Sequence, residues 1–326
     1  MNNQALKIGL YIGSWPQNIG NAFFDLGGKA ILKEAFPEAQ FYNLGGAVHW
    51  MFMASRRDRE GRVLSKVRKM LGKELYSENS FEIGQYADVD LMVFCGMSMC
   101  KEFVDNNAKT FIEASKRGVA TLGLGAGAAL YSDPDISPFA DFINSLPNAA
   151  IITRDDDTFS LFSKRVKNIW SGIDCAFCLP EYYTPPRLDL PEYDVVNFDA
   201  GPIPQSINHE GRLVLHTHHD LWGPLAADYT SKPNTLVSDV PEDYLTLYSQ
   251  VCETHSDRVH ACVASLTYGN KARLYSKTPR KALFEKVGLP RITQETSKIN
   301  QDQLAELKAA QIAQTRKFVE QLMNNK

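Results

Sequence analysis

The sequence predicts an α/β protein: two open, parallel-sheet domains facing a cleft, followed by a C-terminal amphipathic helix. Three observations carry this expectation. Short apolar runs of strand length alternate with segments of helical periodicity, the pattern of repeated βα units. The alternation comes in two blocks, separated by a linker-like stretch marked by Pro180, Pro185, Pro186 and Pro191. After Thr293 glycine disappears and Gln, Lys, Glu and Ala dominate, a composition that favours helix.

With 326 residues the chain has room for two domains of roughly 150 residues each. We divide it into an N-terminal Rossmann-like domain at 1–179, a second Rossmann-like domain at 180–295 and a helix at 296–326. In the first block, strands are expected at Leu6 to Ile12, Gln40 to Leu44, Val89 to Cys95, Val119 to Leu124 and Ala149 to Thr153, with a helix at Phe103 to Lys116. Glycine-bearing loops fall at the strand ends, at Gly20, Gly96 and the run from Gly123 to Gly127. Ligands of parallel sheets bind at such ends. In the second block, strands are expected at Asp194 to Phe198, Arg212 to His216, Thr235 to Ser238 and Lys271 to Tyr275. The last segment places Leu304, Leu307, Ala310, Ile312, Phe318, Val319 and Leu322 at helical spacing. It either packs back across the first domain or pairs with another subunit.

The net charge of −3 leaves no broad cationic field for nucleic acid. No apolar run reaches the ~20 residues needed to cross a bilayer, and the first residues lack the pattern of a signal peptide. Residence in the cytoplasm is the expectation, with the six cysteines reduced and buried.

The segment Ser256-Asp257-Arg258-Val259-His260 carries the strongest chemical signal. Val259, Cys262, Val263 and Leu266 recur at helical spacing, Ser256 or Asp257 can cap the start, and Gly269 can end the helix. Arg258 and His260 then sit at a helix amino end, where free N–H groups and the helix dipole favour an anion. Arg258 adds a two-pronged clamp, and His260 a group that exchanges a proton near neutral pH. Residues two apart in a regular helix point about 200° apart, so the pair can share a ligand only if Arg258 lies at or before the first turn.

Around this point the chain resembles the polysaccharide pyruvyl transferase family. The resemblance rests on the Ser-x-Arg-x-His helix start preceded by the acidic helix Glu242 to Tyr248, and on Tyr275, Arg280, Phe284 and Gly288 after it. In the first domain, Asn18, Gly20 and Asn21 resemble the family's Asn-x-Gly-Asn loop, Gly123-x-Gly125 its Gly-x-Gly strand end, and Gly172 to Phe177 its Asp-x-Ala-Phe stretch. The chain departs from the family at Cys95 to Met99, where a glycine run is usual, and at Arg280, where a lysine is usual. The resemblance implies a glycosyltransferase-B-like pair of domains. It also implies a transferase of exopolysaccharide biosynthesis that moves pyruvate from phosphoenolpyruvate to a glycan or lipid-linked sugar acceptor as a ketal, with no cofactor.

On this reading His260, Arg258 and Arg154 are catalytic. Arg154, at the strand-to-helix corner Ile151 to Phe159, joins Arg258 in holding the phosphate and carboxylate of the donor. Asn18, Gly20, Asn21, Gly96, Ser98, Gly125, His219, Ser256 and Arg280 bind substrate. His260, with an ordinary pKa of about 6.5, carries the proton. Asp174 reads first as a turn former and second as a carboxylate that orients a histidine or arginine across the cleft. The cluster His216 to Asp220 lacks a firm third ligand, so no metal is expected, and Cys175-x-x-Cys178 has no second pair at zinc spacing. Trp15, Trp50 and Trp222 are candidate stacking surfaces for a sugar. Two alternatives remain: a glycosyltransferase using a nucleotide-activated sugar, which shares this architecture, or a non-catalytic glycan- or phosphate-binding relative.

Overall fold

The structure is a computed structural model that describes residues 5–13, 15, 18–45, 83–129, 133–220 and 232–324. Trp50 and Trp222 lie outside these residues. The first domain is a fully parallel sheet in the order β2-β1-β3-β5-β6-β7, with the short β4 added against β5. Its strands are β1 Lys7–Tyr11, β2 Gln40–Leu44, β3 Leu91–Cys95, β4 Ser98–Met99, β5 Ala120–Ala128, β6 Ala149–Thr153 and β7 Ile169–Ser171. The second sheet runs β10-β9-β8-β11-β12-β13, parallel except for its last pair. Its strands are β8 Tyr193–Asn197, β9 Leu213–Thr217, β10 Thr235–Leu236, β11 Glu253–Ser256, β12 Lys271–Leu274 and β13 Ser297–Lys298.

Helices fill the crossovers: α1 Gly20–Ala35, α2 Lys101–Lys116, α3 Asp133–Ser145, α4 Asp156–Phe162, α5 Leu179–Tyr182, α6 Pro241–Tyr248, α7 Val259–Thr267, α8 Ala282–Lys286 and α9 Gln301–Asn324. Strands β3, β5 and β6 are buried along their whole length, as a sheet covered on both faces requires. The two Rossmann-like domains face a cleft in the glycosyltransferase-B-like manner. The C-terminal helix α9 is amphipathic and lies back on α1, burying Leu304, Phe318, Val319 and Leu322.

Several elements differ from their sequence-based outlines. β5 continues to Ala128 rather than ending at Leu124, and its glycines are packed instead of accessible. Gly123 has no room for a Cβ between Phe94 and Ile151, and Gly125, at φ +62°, lies against Cys175 at a shift of register. β11 has no strand-like apolar pattern because Thr254 and Ser256 face inward. Thr254 hydrogen-bonds Ser265 on α7 at 2.6 Å, and Ser256 donates to Asn197 at 3.1 Å. Neither Ser256 nor Asp257 caps α7. The N-cap is Arg258, and Asp257 instead accepts the backbone N–H groups of Asp199, Ala200 and Gly201 at 2.8–3.1 Å.

In both domains the strand order reverses direction next to the first strand: β1 has β2 on one side and β3 on the other, and β8 has β9 and β11. Crevices open at such reversals, beyond the carboxyl ends. The loops after β1 and β3 and the amino end of α7 all belong to these two points.

Candidate functional site

A cavity of about 370 Å3 lies at the reversal point of the first sheet and reaches across to the second domain. The loop after β1 contributes Tyr11, Gly13 and Asn18, α1 contributes Asn21 and Phe24, and the turn after β3 contributes Gly96, Ser98 and Cys100. Arg154 enters from the end of β6, and His260 and Arg280 come from the second domain. Glu102 is the one carboxylate among the lining residues, beside two arginines, Arg154 and Arg280.

Arg154 is 2% exposed. Its backbone is fixed by a hydrogen bond to Ala126 at 3.0 Å, and its guanidinium lies over Gly127, where a Cβ would stand 2.1 Å from Nε. Its partners are Asp155 at 3.6 Å and Asp174 at 3.9 Å, while Nη2 has no hydrogen-bond partner among the described residues. Asp155 is held in turn as the N-cap of α4, accepting from Thr158 N–H at 2.6 Å.

Asp174 fills both roles considered for it. One oxygen accepts the Ala176 N–H at 2.9 Å and starts the 3-10 turn Cys175–Cys178. The other lies 3.4 Å from His260 Nε2. Burial pushes this carboxyl up, but His260, Arg154 and the Ala176 N–H outweigh burial and hold it below the ordinary carboxylate value. An ionised carboxylate only accepts, so His260 Nε2 is the protonated nitrogen and Nδ1 is left for a reacting group. Phe24 meets the His260 ring edge to face at 5.4 Å.

Arg258 lies at the N-cap, before the first turn, which meets the geometric condition for sharing a ligand with His260. Its side chain is nevertheless not among the residues lining the cavity. Its Nε donates to Asp199 at 2.8 Å, and Nη2 lies 3.9 Å from Asp220. The guanidinium thus closes the second domain's own loops, and Arg280 is the arginine brought to the cavity beside Arg154.

Of the other expected binding residues, Asn18, Asn21, Gly96 and Ser98 line the cavity. Gly20, Gly125, Ser256 and His219 do not. Gly20 lets α1 approach the second domain: a Cβ there would lie 3.1 Å from His219 Nδ1 and 3.2 Å from the His260 Cβ. Ser256 is fully buried, its hydroxyl spent on Asn197 and on Arg258 N–H at 2.8 Å. His219 is 1% exposed and bonded through Nε2 to Tyr248 at 2.9 Å. Burial pushes its imidazole down to about 3, with Arg258, His260 and His218 adding to burial against Asp199. It is a neutral core histidine because β9 delivers it beneath the start of α1, whose Ile19 N–H donates to its carbonyl at 2.9 Å.

The histidine cluster is dispersed in the same way: His218 is bound to Asp199 at 2.9 Å while His219 turns to Tyr248. A grouping with metal-ligand spacing occurs elsewhere, at Asp194, His209 and His255. There Arg212 donates to both oxygens of Asp194, at 2.9 and 3.2 Å. Cys175 and Cys178 are buried, and burial pushes the Cys178 thiol up to about 12. Trp15 donates to Asp25 at 2.7 Å and packs against the core.

Glu102, with Tyr11 and Asn107, lines the cavity outside the expected binding set, and Asp174 stands behind the lining as the partner of His260. The signal for Asp174 was its place in the Asp-x-Ala-Phe stretch. Glu102 had none beyond its position in the first turn of a helix.

No family model matches the chain, and no curated protein matches it. Solved structures do share its fold. The UDP-N-acetylglucosamine 2-epimerase from Rickettsia bellii superposes with a TM-score of 0.55 at 10% identity, over 98% of each chain. The UDP-GlcNAc 2-epimerase from Neisseria meningitidis bound to UDP-GlcNAc gives 0.52 at 10% identity, over 96% of this chain and 100% of that one. Among the described residues no helix is long and apolar enough to cross a membrane.

Proposed function

We propose that the cavity is the active site of an enzyme that modifies sugars using a phosphate-bearing donor, and that the donor is phosphoenolpyruvate. The observation that carries this reading is the unit Arg154, Asp174 and His260, set in one cavity with Arg280. Arg154, whose Nη2 has no partner among the described residues, and Arg280 suit a compact ligand with a carboxylate and a phosphate. His260, in its imidazolium form with Nε2–H held by Asp174, delivers its second proton, from Nδ1, to the methylene carbon of the enol and is left as the neutral Nε2–H imidazole. That carbon becomes a methyl group and its neighbour becomes electrophilic. One sugar hydroxyl adds and returns its proton to His260. A second hydroxyl of the same sugar then displaces phosphate, which takes up the remaining proton, and a cyclic pyruvate ketal is left. The sequence resemblance near Arg258 supports this donor. The acceptor lies on the side of Asn18, Asn21, Ser98 and Glu102.

A second reading, an enzyme acting on a nucleotide-activated sugar, is favoured by the likeness in fold to UDP-GlcNAc 2-epimerases, one of them bound to UDP-GlcNAc. A cavity of this volume falls within the range of small-molecule sites generally. The two readings are separated by incubating the protein with phosphoenolpyruvate or with UDP-sugars, each with candidate glycans. Phosphate and UDP release are then measured for the native chain and for His260→Ala. Phosphate release that His260→Ala abolishes supports pyruvyl transfer, whereas UDP release or stabilisation by UDP-sugars alone overturns it.

A further inference from the structure

We infer that the C-terminal helix is a working part of this site, and that Gln311 is the positioning residue through which it aims Asp174 at His260. The inference rests on the proposed role of the Asp174–His260 pair. Gln311 is fully buried on α9, on the face that also carries Leu304, Phe318 and Leu322. Its Oε1 accepts the N–H of Ile173, the residue before Asp174, at 2.6 Å across 138 positions of sequence. Gly172 makes that approach feasible, since a Cβ there would stand 2.2 Å from Gln311 Oε1. The peptide is therefore pinned at three points: Gly172 N–H on Thr153 at 2.9 Å, Ile173 N–H on Gln311, and Ala176 N–H on the Asp174 carboxylate. The second Asp174 oxygen is thereby directed at His260 and Arg154.

Packing alone does not account for a glutamine here. Gln311 Nε2 has no hydrogen-bond partner among the described residues, and an unpartnered buried amide is unfavourable compared with an apolar side chain of the same shape. What the amide supplies is the acceptor for Ile173. The helix is also anchored against sliding. Arg316 donates to the carbonyls of Ala35 and Glu34 at the end of α1, and Lys308 pairs with Glu181 at 2.9 Å. The same α1 carries the cavity residues Asn21 and Phe24 near its other end, so one helix braces two walls of the site.

The test compares Gln311→Met, which keeps shape but removes the acceptor, with Gln311→Glu, which keeps an acceptor oxygen. Leu322→Ala serves as a variant that weakens α9 away from the loop. In protein labelled with 15N-histidine, the imidazole spectrum of His260 reports how far the Nε2-protonated tautomer dominates, with no substrate present. Loss of that dominance is expected in Gln311→Met, with retention in Gln311→Glu and in Leu322→Ala. An unchanged His260 in folded Gln311→Met, or an equal change in Leu322→Ala, overturns the inference. Should Gln311→Met not fold, Gln311→Asn, one methylene too short to reach Ile173, is read in its place. Turnover of phosphoenolpyruvate is scored separately, so a shifted tautomer in a chain without that activity sinks the proposed function and leaves the positioning role standing.

Discussion

Asp174 Oδ2 lies 3.4 Å from His260 Nε2, a contact that joins a turn of the first domain to the first turn of a helix in the second. His260 lines the cavity and Asp174 does not, so the histidine is held by a carboxylate from behind the lining. Much of the site's expected behaviour follows from this contact.

Asp174→Asn replaces an acceptor-only group with an amide that can donate to His260 and so favour the other tautomer. Turnover is expected to fall on the order of 10²-fold or more, with the donor KM changing less. Unfolding by denaturant should show a loss of about 1–3 kcal/mol, because Arg154 loses a buried partner. Full activity in a folded Asp174→Asn protein excludes the orienting role.

The two arginines are expected to separate cleanly. Arg154→Lys keeps the charge but loses the planar fork, and should raise the donor KM at least tenfold. Arg258→Gln should leave KM nearly unchanged and lower stability by about 1–2 kcal/mol, since Asp199 loses its 2.8 Å partner while part of that pair stays in solvent. Steady-state kinetics and thermal melts on both variants decide the matter, and a KM effect confined to Arg258→Gln reverses the assignment.

Gly127→Ala tests the seat of Arg154. Its new methyl would stand 2.1 Å from Arg154 Nε and 2.5 Å from Nη2, so the guanidinium has to leave its place. Donor binding is expected to drop as far as in Arg154→Lys, with the fold retained by circular dichroism. Normal donor affinity would show that the arginine does not need this seat.

Asp25 gives the chain a pH dependence near neutrality. Burial pushes its carboxyl up to about 7, against the opposing bonds from Trp15 Nε1 and Gly13 N–H. The folded state therefore holds this proton more tightly than the unfolded chain, and stability is lost as pH rises from about 4 through 7. The cost at pH 8 is up to about 4 kcal/mol. Asp25→Asn, which still accepts both hydrogen bonds, should match the native protein near pH 4 and exceed its melting temperature increasingly toward pH 8. A constant difference between the two melts across this range contradicts the shift.

Elements with strong periodicity were legible from the residues themselves. β2 and β6 span the expected residues, and α7 begins at Val259 as its apolar spacing requires. The polar strand β11 escaped detection because its inward residues satisfy one another across the core, and burial of polar groups leaves no hydrophobic pattern. Gly125 and Gly127 read as loop glycines, yet they sit inside a buried strand where two neighbouring side chains need the space. Arg154 and His260 could be picked out because each stands at a junction between strand and helix, and these junctions converge in a doubly wound fold.

The alternation of strands and helices, the division into two sheets, the amphipathic last helix and the start of α7 are all written along the chain. These are local properties, set by side-chain period and by the residues that break it. Tertiary structure alone decided which charged groups meet. Asp199 captures Arg258 across 59 positions, Asp174 reaches His260 across 86, and Gln311 reaches Ile173 across 138. Such pairings depend on the order of strands in each sheet and on the packing of the last helix. Neither leaves a local pattern to read, because hydrogen bonds and ion pairs act over a few ångströms in space whatever the separation along the chain.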